Sequence, residues 1–231
     1  TRKILKEQNL LKICDYGEKG FKGVKIETIS FLLETSPKKK SEKVLVESYI
    51  TQTIEEKNKG YLFSDKFPYW LIYRNEKFDE ISEKMNFDIF QSFRDRQITK
   101  KITKKEGNYR VLKSRNVGNN EVLEIDNYDC YIDNMENLAV AKFLNRDNVV
   151  MVPNLTYYPR ASFLPKNTIT DGSVALLTLK NGSRLPTEQD LEYYSTKEFE
   201  KFYRVARNYG TRSLNIDNNS VFFFGLQKDI E

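Results

Sequence analysis

Between Arg94 and Arg115 the chain carries nine basic residues, Arg94, Arg96, Lys100, Lys101, Lys104, Lys105, Arg110, Lys113 and Arg115, against two acids, Asp95 and Glu106. That is a local charge of +7 in a chain of net charge +5, so the remainder is net negative and the basicity belongs to one stretch. Gln97, Thr99, Ser114 and Asn116 lie among the cations and can accept hydrogen bonds as well as donate them. Lys and Arg neutralise phosphates, while Arg, Asn, Gln, Ser and Thr read base edges. The chemistry of this mixture is the binding of a polyanion, with some capacity to discriminate bases.

Bond-making chemistry is harder to find. The chain has no histidine, which removes Ser-His-Asp and Cys-His catalysis and His-based metal sites. Cys14 and Cys130 share no metal-ligand spacing and read as reduced thiols, so neither a zinc site nor any other metal site is expected. Glu55-Glu56-Lys57 has the letters of a metal-dependent nuclease, but no Pro-Asp precedes it. Gly17, Gly20 and Gly23 fit neither G-x-G-x-x-G nor a P-loop and read as turn residues. No catalytic residue is assigned.

The elements that must hold the basic stretch are mostly strands. Tyr109 to Val117 reads as a short strand with Tyr109, Val111 and Lys113 on one face, ending in a polar turn at 118–120, so that 113–116 lie at a strand end. Upstream, a helical tail at 1–10 leads to strands over 10–17 and 26–34 that form a hairpin-like unit. A polar linker, 37–43, precedes a strand over 44–54. The aromatic run 61–75, with the only tryptophan, reads as packing, with a stacking platform for bases as the alternative. Phe78, Ile81, Met85 and Ile89 have helical spacing and open a second domain.

Further on, 122–132 is a run of acids and tyrosines, and 136–145 reads as a short helix. Strands are expected at 148–153 and 173–179, the latter closed by a turn at 181–182. Ser195-Thr196-Lys197-Glu198 is a capping box opening a helix with Phe199, Phe202, Tyr203 and Ala206 on its core stripe. Its other face and its exit offer Arg207, Tyr209, Arg212 and Asn215, and 220–226 reads as a closing strand. Tyr158 and Arg160, beside Pro159, are weaker candidates for contact.

Ile98-Thr99-Lys100-Lys101 followed by Tyr109 to Val117 resembles the opening of a target recognition domain in adenine-specific DNA methyltransferases and type I specificity subunits. Residues 2–37 are similar to the closing strands of the catalytic domain in the gamma class of those enzymes, and 199–225 to their C-terminal end in type II restriction-modification systems. The resemblance implies an α+β chain: a small, hairpin-containing remnant of an α/β methyltransferase domain with its connector at 1–77, then a mixed, mostly β target recognition domain at 78–231 with a C-terminal helix. The family's Asn/Asp-Pro-Pro-Tyr/Phe loop and its S-adenosylmethionine-binding strand end do not occur, and no two prolines are adjacent.

The resemblance therefore implies no cofactor in this piece, and S-adenosylmethionine for the parent enzyme. The partners it implies are double-stranded DNA and an upstream catalytic domain of the same chain, in the cytoplasm of a bacterium. The DNA contacts expected are Arg94, Arg96, Gln97, Lys100, Lys101, Lys104, Lys105, Lys113, Ser114, Arg115 and Asn116, with Tyr158, Arg160, Arg207, Tyr209, Arg212 and Asn215. The alternatives are a non-catalytic assembly module of a restriction complex and, less favoured, the nuclease. No apolar run approaches the roughly 18 residues of a membrane span. Thr1 in place of an initiator Met reads as a piece of a longer protein.

Overall fold

The computed structural model describes residues 2–36, 38–180, 182–210 and 214–228. The chain is α+β, with many short strands in several sheets and few helices. It divides into two compact units: Thr1–Arg74 with Arg207–Arg212, and Asn75–Ala206 with Ser213–Glu231.

The first unit is a four-stranded sheet of order β2-β1-β3-β4, built from β1 (Asn9–Gly17), β2 (Thr28–Glu34), β3 (Lys43–Ser48) and β4 (Thr53–Asn58), after a short helix α1 (Arg2–Glu7). β1 and β2 are antiparallel, as the sequence predicts, with Ile13 opposite Phe31, and β1 runs parallel to β3. The predicted single strand over 44–54 is instead a hairpin of β3 and β4, because Gln52 takes a positive φ and turns the chain. Ile13, Val44 and Val46 point to a core completed by Leu62, Trp70, Leu71 and Ile72, which places the aromatic run in packing. The helix α2 (Lys59–Leu62) is capped by Asn58, whose side chain accepts from Tyr61 N.

The second unit opens with α3 (Glu76–Glu83), capped by Asn75. The helical spacing of Phe78, Ile81, Met85 and Ile89 is realised only over its first half, because Met85 and Asn86 form β5 (Met85–Asn86) against β15 (Leu226–Gln227) and Asp88 has a positive φ. Phe78 and Ile81 keep the buried helical face, while Met85 is buried from β5 and Ile89 from the segment just before the next strand. The central sheet has the order β11-β9-β13-β6, from β6 (Phe90–Phe93), β9 (Val150–Pro153), β11 (Ser162–Phe163) and β13 (Val174–Leu179). β9 and β13 are buried almost throughout, which explains their unbroken apolar runs.

A three-stranded sheet, β12-β7-β8, takes in the last part of the basic stretch: β7 (Tyr109–Leu112), β8 (Cys130–Ile132) and β12 (Thr168–Thr170). The strand predicted over 109–117 ends at Leu112 and becomes a 3-10 turn, Ser114–Asn116. The helix predicted at 136–145 is also 3-10, Ala139–Phe143. A helix not foreseen, α4 (Glu188–Tyr194), is capped by Thr187 and Asp190 in a reciprocal box. In α5 (Lys197–Ala206) the cap is Thr196, whose hydroxyl accepts from Phe199 N, one residue later than the predicted Ser195. The predicted closing strand 220–226 is a 3-10 turn, Ser220–Phe223, and only β15 is extended, because packing of Phe223 and Phe224 against α5 and α4 rings needs a compact backbone. Asn181 of the predicted turn lies outside the described residues.

Candidate nucleic-acid interface

The basic stretch is fastened to the core at intervals. Ile98, Val111, Leu112 and Val117 belong to one buried cluster with Ile132, Val140, Met151 and Ile169. Asp95 is buried, and its Oδ2 accepts from the backbone nitrogens of Gln97 and Ile98 at 2.8 and 2.6 Å, which fixes the loop as it leaves β6. Gly172 allows this, because a Cβ there would stand 2.5 Å from the Asp95 carbonyl oxygen. At the far end of the loop Lys104 and Tyr131 exchange backbone hydrogen bonds.

Between these anchors the loop presents charge. Arg94, Arg96, Lys100, Lys101 and Lys105 are exposed, and among the described residues none of their side chains forms an ion pair. Arg115 is also exposed, with its guanidinium 4.8 Å from the centre of the Tyr128 ring. These six cations have their charge available to a ligand.

Others do not. β8 pairs antiparallel with β7, so the acid-rich segment that contains it meets the basic one strand for strand. Arg110 donates to Asp129 at 2.5 Å and lies 3.7 Å from Glu124. Lys104 is paired with Asp133. Lys113 donates to the Tyr128 carbonyl and its Nζ lies 3.9 Å from the ring centre. The local +7 of the sequence is thus reduced in space. Charge complementarity between 94–115 and 122–133 was the signal for this pairing, visible in the letters but not connected until the strands are placed.

Of the residues expected to read bases, Asn116 is turned inward, Gln97 is exposed but bonded within the fold, and Ser114 is held by its backbone. Asn116 is fully buried: its Oδ1 accepts from Lys113 N, and its Nδ2 donates to the Leu123 carbonyl and to Asp129. Gln97 spends its amide on Asn137 O and Ala139 N. Ser114 N donates to Ser173 Oγ, and its carbonyl accepts from Arg160. Arg160 also donates from Nε to Val117 O at 2.6 Å and from Nη1 to Thr156 Oγ1 at 2.7 Å. Burial pushes its pKa down, but a guanidinium stays charged, so it is a cation committed to internal carbonyls.

Tyr158 is exposed, and Lys197 Nζ lies 4.7 Å from its ring centre. Arg207 and Tyr209 belong to the first unit. There Arg207 lines a cavity of about 420 Å³ with Trp70, Ile29 and Phe31, and Tyr209 packs edge-on against Tyr73 at 4.9 Å. Arg212 lies outside the described residues; Asn215 pairs by its backbone with Leu155 in β14 (Leu214–Asn215) against β10 (Leu155–Thr156), and its side chain is likewise not described.

The glycine turn between β1 and β2 is tightly closed. A Cβ on Gly20 would meet Thr28 Cβ at 2.7 Å, so the missing side chain serves hairpin closure. Glu55 and Glu56 are neighbours on β4 and point to opposite faces, pairing with Lys57 and Lys43 respectively. No group of three or more acidic or Cys side chains able to hold a metal is found among the described residues. No helix among them is long and apolar enough to cross a membrane.

No protein-family model matches this chain, and no curated protein matches it.

Proposed function

We propose that this chain binds duplex DNA, as the specificity portion of an N6-adenine DNA methyltransferase from a type II restriction-modification system. In this reading the first unit is the end of the gamma-class catalytic domain and the second is the target recognition domain. The observation that carries it is the loop 94–105, where Arg94, Arg96, Lys100, Lys101 and Lys105 are exposed and unpaired on a backbone anchored by Asp95 and Ile98. Unpaired cations on a fixed frame bind phosphates by counterion release. Arg115 is the exposed side chain best suited to a base edge, since Arg pairs bidentately with guanine.

The first unit is consistent with a sheet that continues into an upstream catalytic domain. β2 lies at the sheet edge with Ile29 and Phe31 on one face and Leu32 on the other, all exposed. Apolar residues on both faces of an edge strand suit a position inside a larger sheet. The cofactor and methyl transfer belong to that upstream part, and no step of the transfer is assigned to residues of this chain.

Binding to a duplex and to poly-glutamate, each across a salt series, tests the proposal. Duplex binding whose log affinity falls linearly with log salt, without comparable binding to poly-glutamate, is the expected result. Equal binding to both favours an assembly module that meets acidic proteins.

A further inference from the structure

Beyond the basic loop, the second unit exposes an aromatic tip. Leu155, Tyr157 and Tyr158 are 59%, 67% and 57% exposed, three large side chains within four residues. Isolated exposed apolar residues are ordinary, but a contiguous group marks a contact surface. The backbone beneath them is fastened. Thr156 Oγ1 accepts from Tyr158 N at 3.2 Å and donates to Tyr158 O at 2.7 Å, closing a tight local turn. Arg160 Nη1 donates into the same turn at Thr156 Oγ1, and Arg204 Nη2 donates to the Tyr157 carbonyl at 3.1 Å.

The tip therefore holds its shape without help from its own rings, which make no ring-to-ring contact among the described residues. A half-buried arginine and a helix arginine are spent on carbonyls so that two tyrosines stand in solvent. The surroundings are cationic. Lys197, Lys201 and Arg204 lie on one side of α5, Lys197 covers the Tyr158 ring, and the carboxylate among them, Glu200, accepts from both Lys197 and Arg204. Through Ser114 O and Val117 O, Arg160 ties the tip to the turn that carries the exposed Arg115.

Resting on the DNA-binding proposal, we infer that Tyr157 and Tyr158 form a stacking wedge that inserts an aromatic ring against bases of the bound duplex. Charge complementarity selects this occupant: Lys197, Lys201 and Arg204 against the single Glu200 leave a net positive surface beside the rings, with Lys201 exposed and in no ion pair among the described residues. Aromatic rings stack on any base, so the wedge contributes affinity at a weakened step without demanding a particular sequence.

The test compares the whole chain's affinity for a paired duplex and for the same duplex with one abasic site, whose gap a ring can fill. The wild type is expected to favour the abasic duplex about tenfold. Tyr157→Ala and Tyr158→Ala should each reduce that preference, and the double variant should abolish it. Tyr157→Phe and Tyr158→Phe, which keep the ring, should retain it. Thermal melting of all variants should match the wild type, because both rings are exposed. Equal wild-type affinity for the two duplexes, with salt dependence intact, overturns the wedge and leaves the DNA-binding proposal standing. A preference that survives in the double Ala variant, or is lost in the Phe variants, also overturns it. Binding to neither duplex overturns both.

Discussion

Asn116 Nδ2 donates to Asp129 Oδ1 at 2.6 Å, while the other oxygen of the same carboxylate accepts from Arg110 at 2.5 Å. One carboxylate thus joins the turn after β7 to the strand itself, and the residue just before Asn116 in that turn, Arg115, is exposed.

Asn116→Ala removes both donors of a buried amide and leaves Asp129 and Lys113 N short of a partner. The loss should be roughly 2 kcal/mol of folding stability, measured as a shift in the denaturant midpoint at unchanged slope. A stability within a few tenths of wild type would show that water replaces the amide.

Replacing Arg94, Arg96, Lys100, Lys101 or Lys105 by Ala, one at a time, should flatten the log-log salt dependence of duplex binding by about 0.9 per residue contacting a phosphate. Lys104→Ala should flatten it less, because Asp133 already neutralises that cation. Equal slopes for Lys104→Ala and Lys100→Ala would mean that DNA displaces the Asp133 pair.

Asp190 is buried beside Arg184, whose Nη1 and Nη2 donate at 2.7 and 2.8 Å, and beside the Thr187 cap. Burial alone would raise its pKa, but the donors of Arg184 and Thr187 outweigh it and hold the carboxyl below its ordinary 3.8. A lowered folded pKa gives stability that is present above the ordinary value and lost as pH falls through the folded one. Asp190→Asn should therefore cost on the order of 3 kcal/mol at neutral pH, with the gap to wild type closing under acid. Urea unfolding of both proteins across the acid range measures it; a gap that does not change with pH would assign the effect to helix capping alone.

Tyr73 donates its hydroxyl proton to Asp15 Oδ2 at 2.6 Å and pairs with Ser48 Oγ at 2.6 Å. Burial, then the bond to Asp15, push its pKa well above the ordinary 10.0. A raised folded pKa gives stability that is full below 10.0 and lost as pH rises through the folded value, because the unfolded chain ionises first. Tyr73→Phe should cost about 1 to 2 kcal/mol at neutral pH and should lose less on alkaline titration than the wild type. Parallel alkaline losses would place the tyrosine outside that linkage.

What the sequence determined by itself was whatever follows from near neighbours. The β1–β2 hairpin is legible because alternating apolar residues and a glycine-rich turn specify it locally, and the buried strands β9 and β13 because their apolar runs are unbroken. The α5 core stripe is legible for the same reason, with Phe199, Phe202, Tyr203 and Ala206 all buried. The basic stretch, too, is plain in the letters. The tertiary structure decided which of those charges are available. Lys104, Arg110 and Asn116 are spent on Asp129, Asp133 and Leu123, partners that only the pairing of β7 with β8 brings near. It also decided that Arg160, expected at the surface, braces Ser114 and Val117 from more than forty residues away, leaving the tyrosines beside it exposed. Hydrogen-bond satisfaction in a folded core is a property of position in space, so no local pattern of residue types could have assigned it.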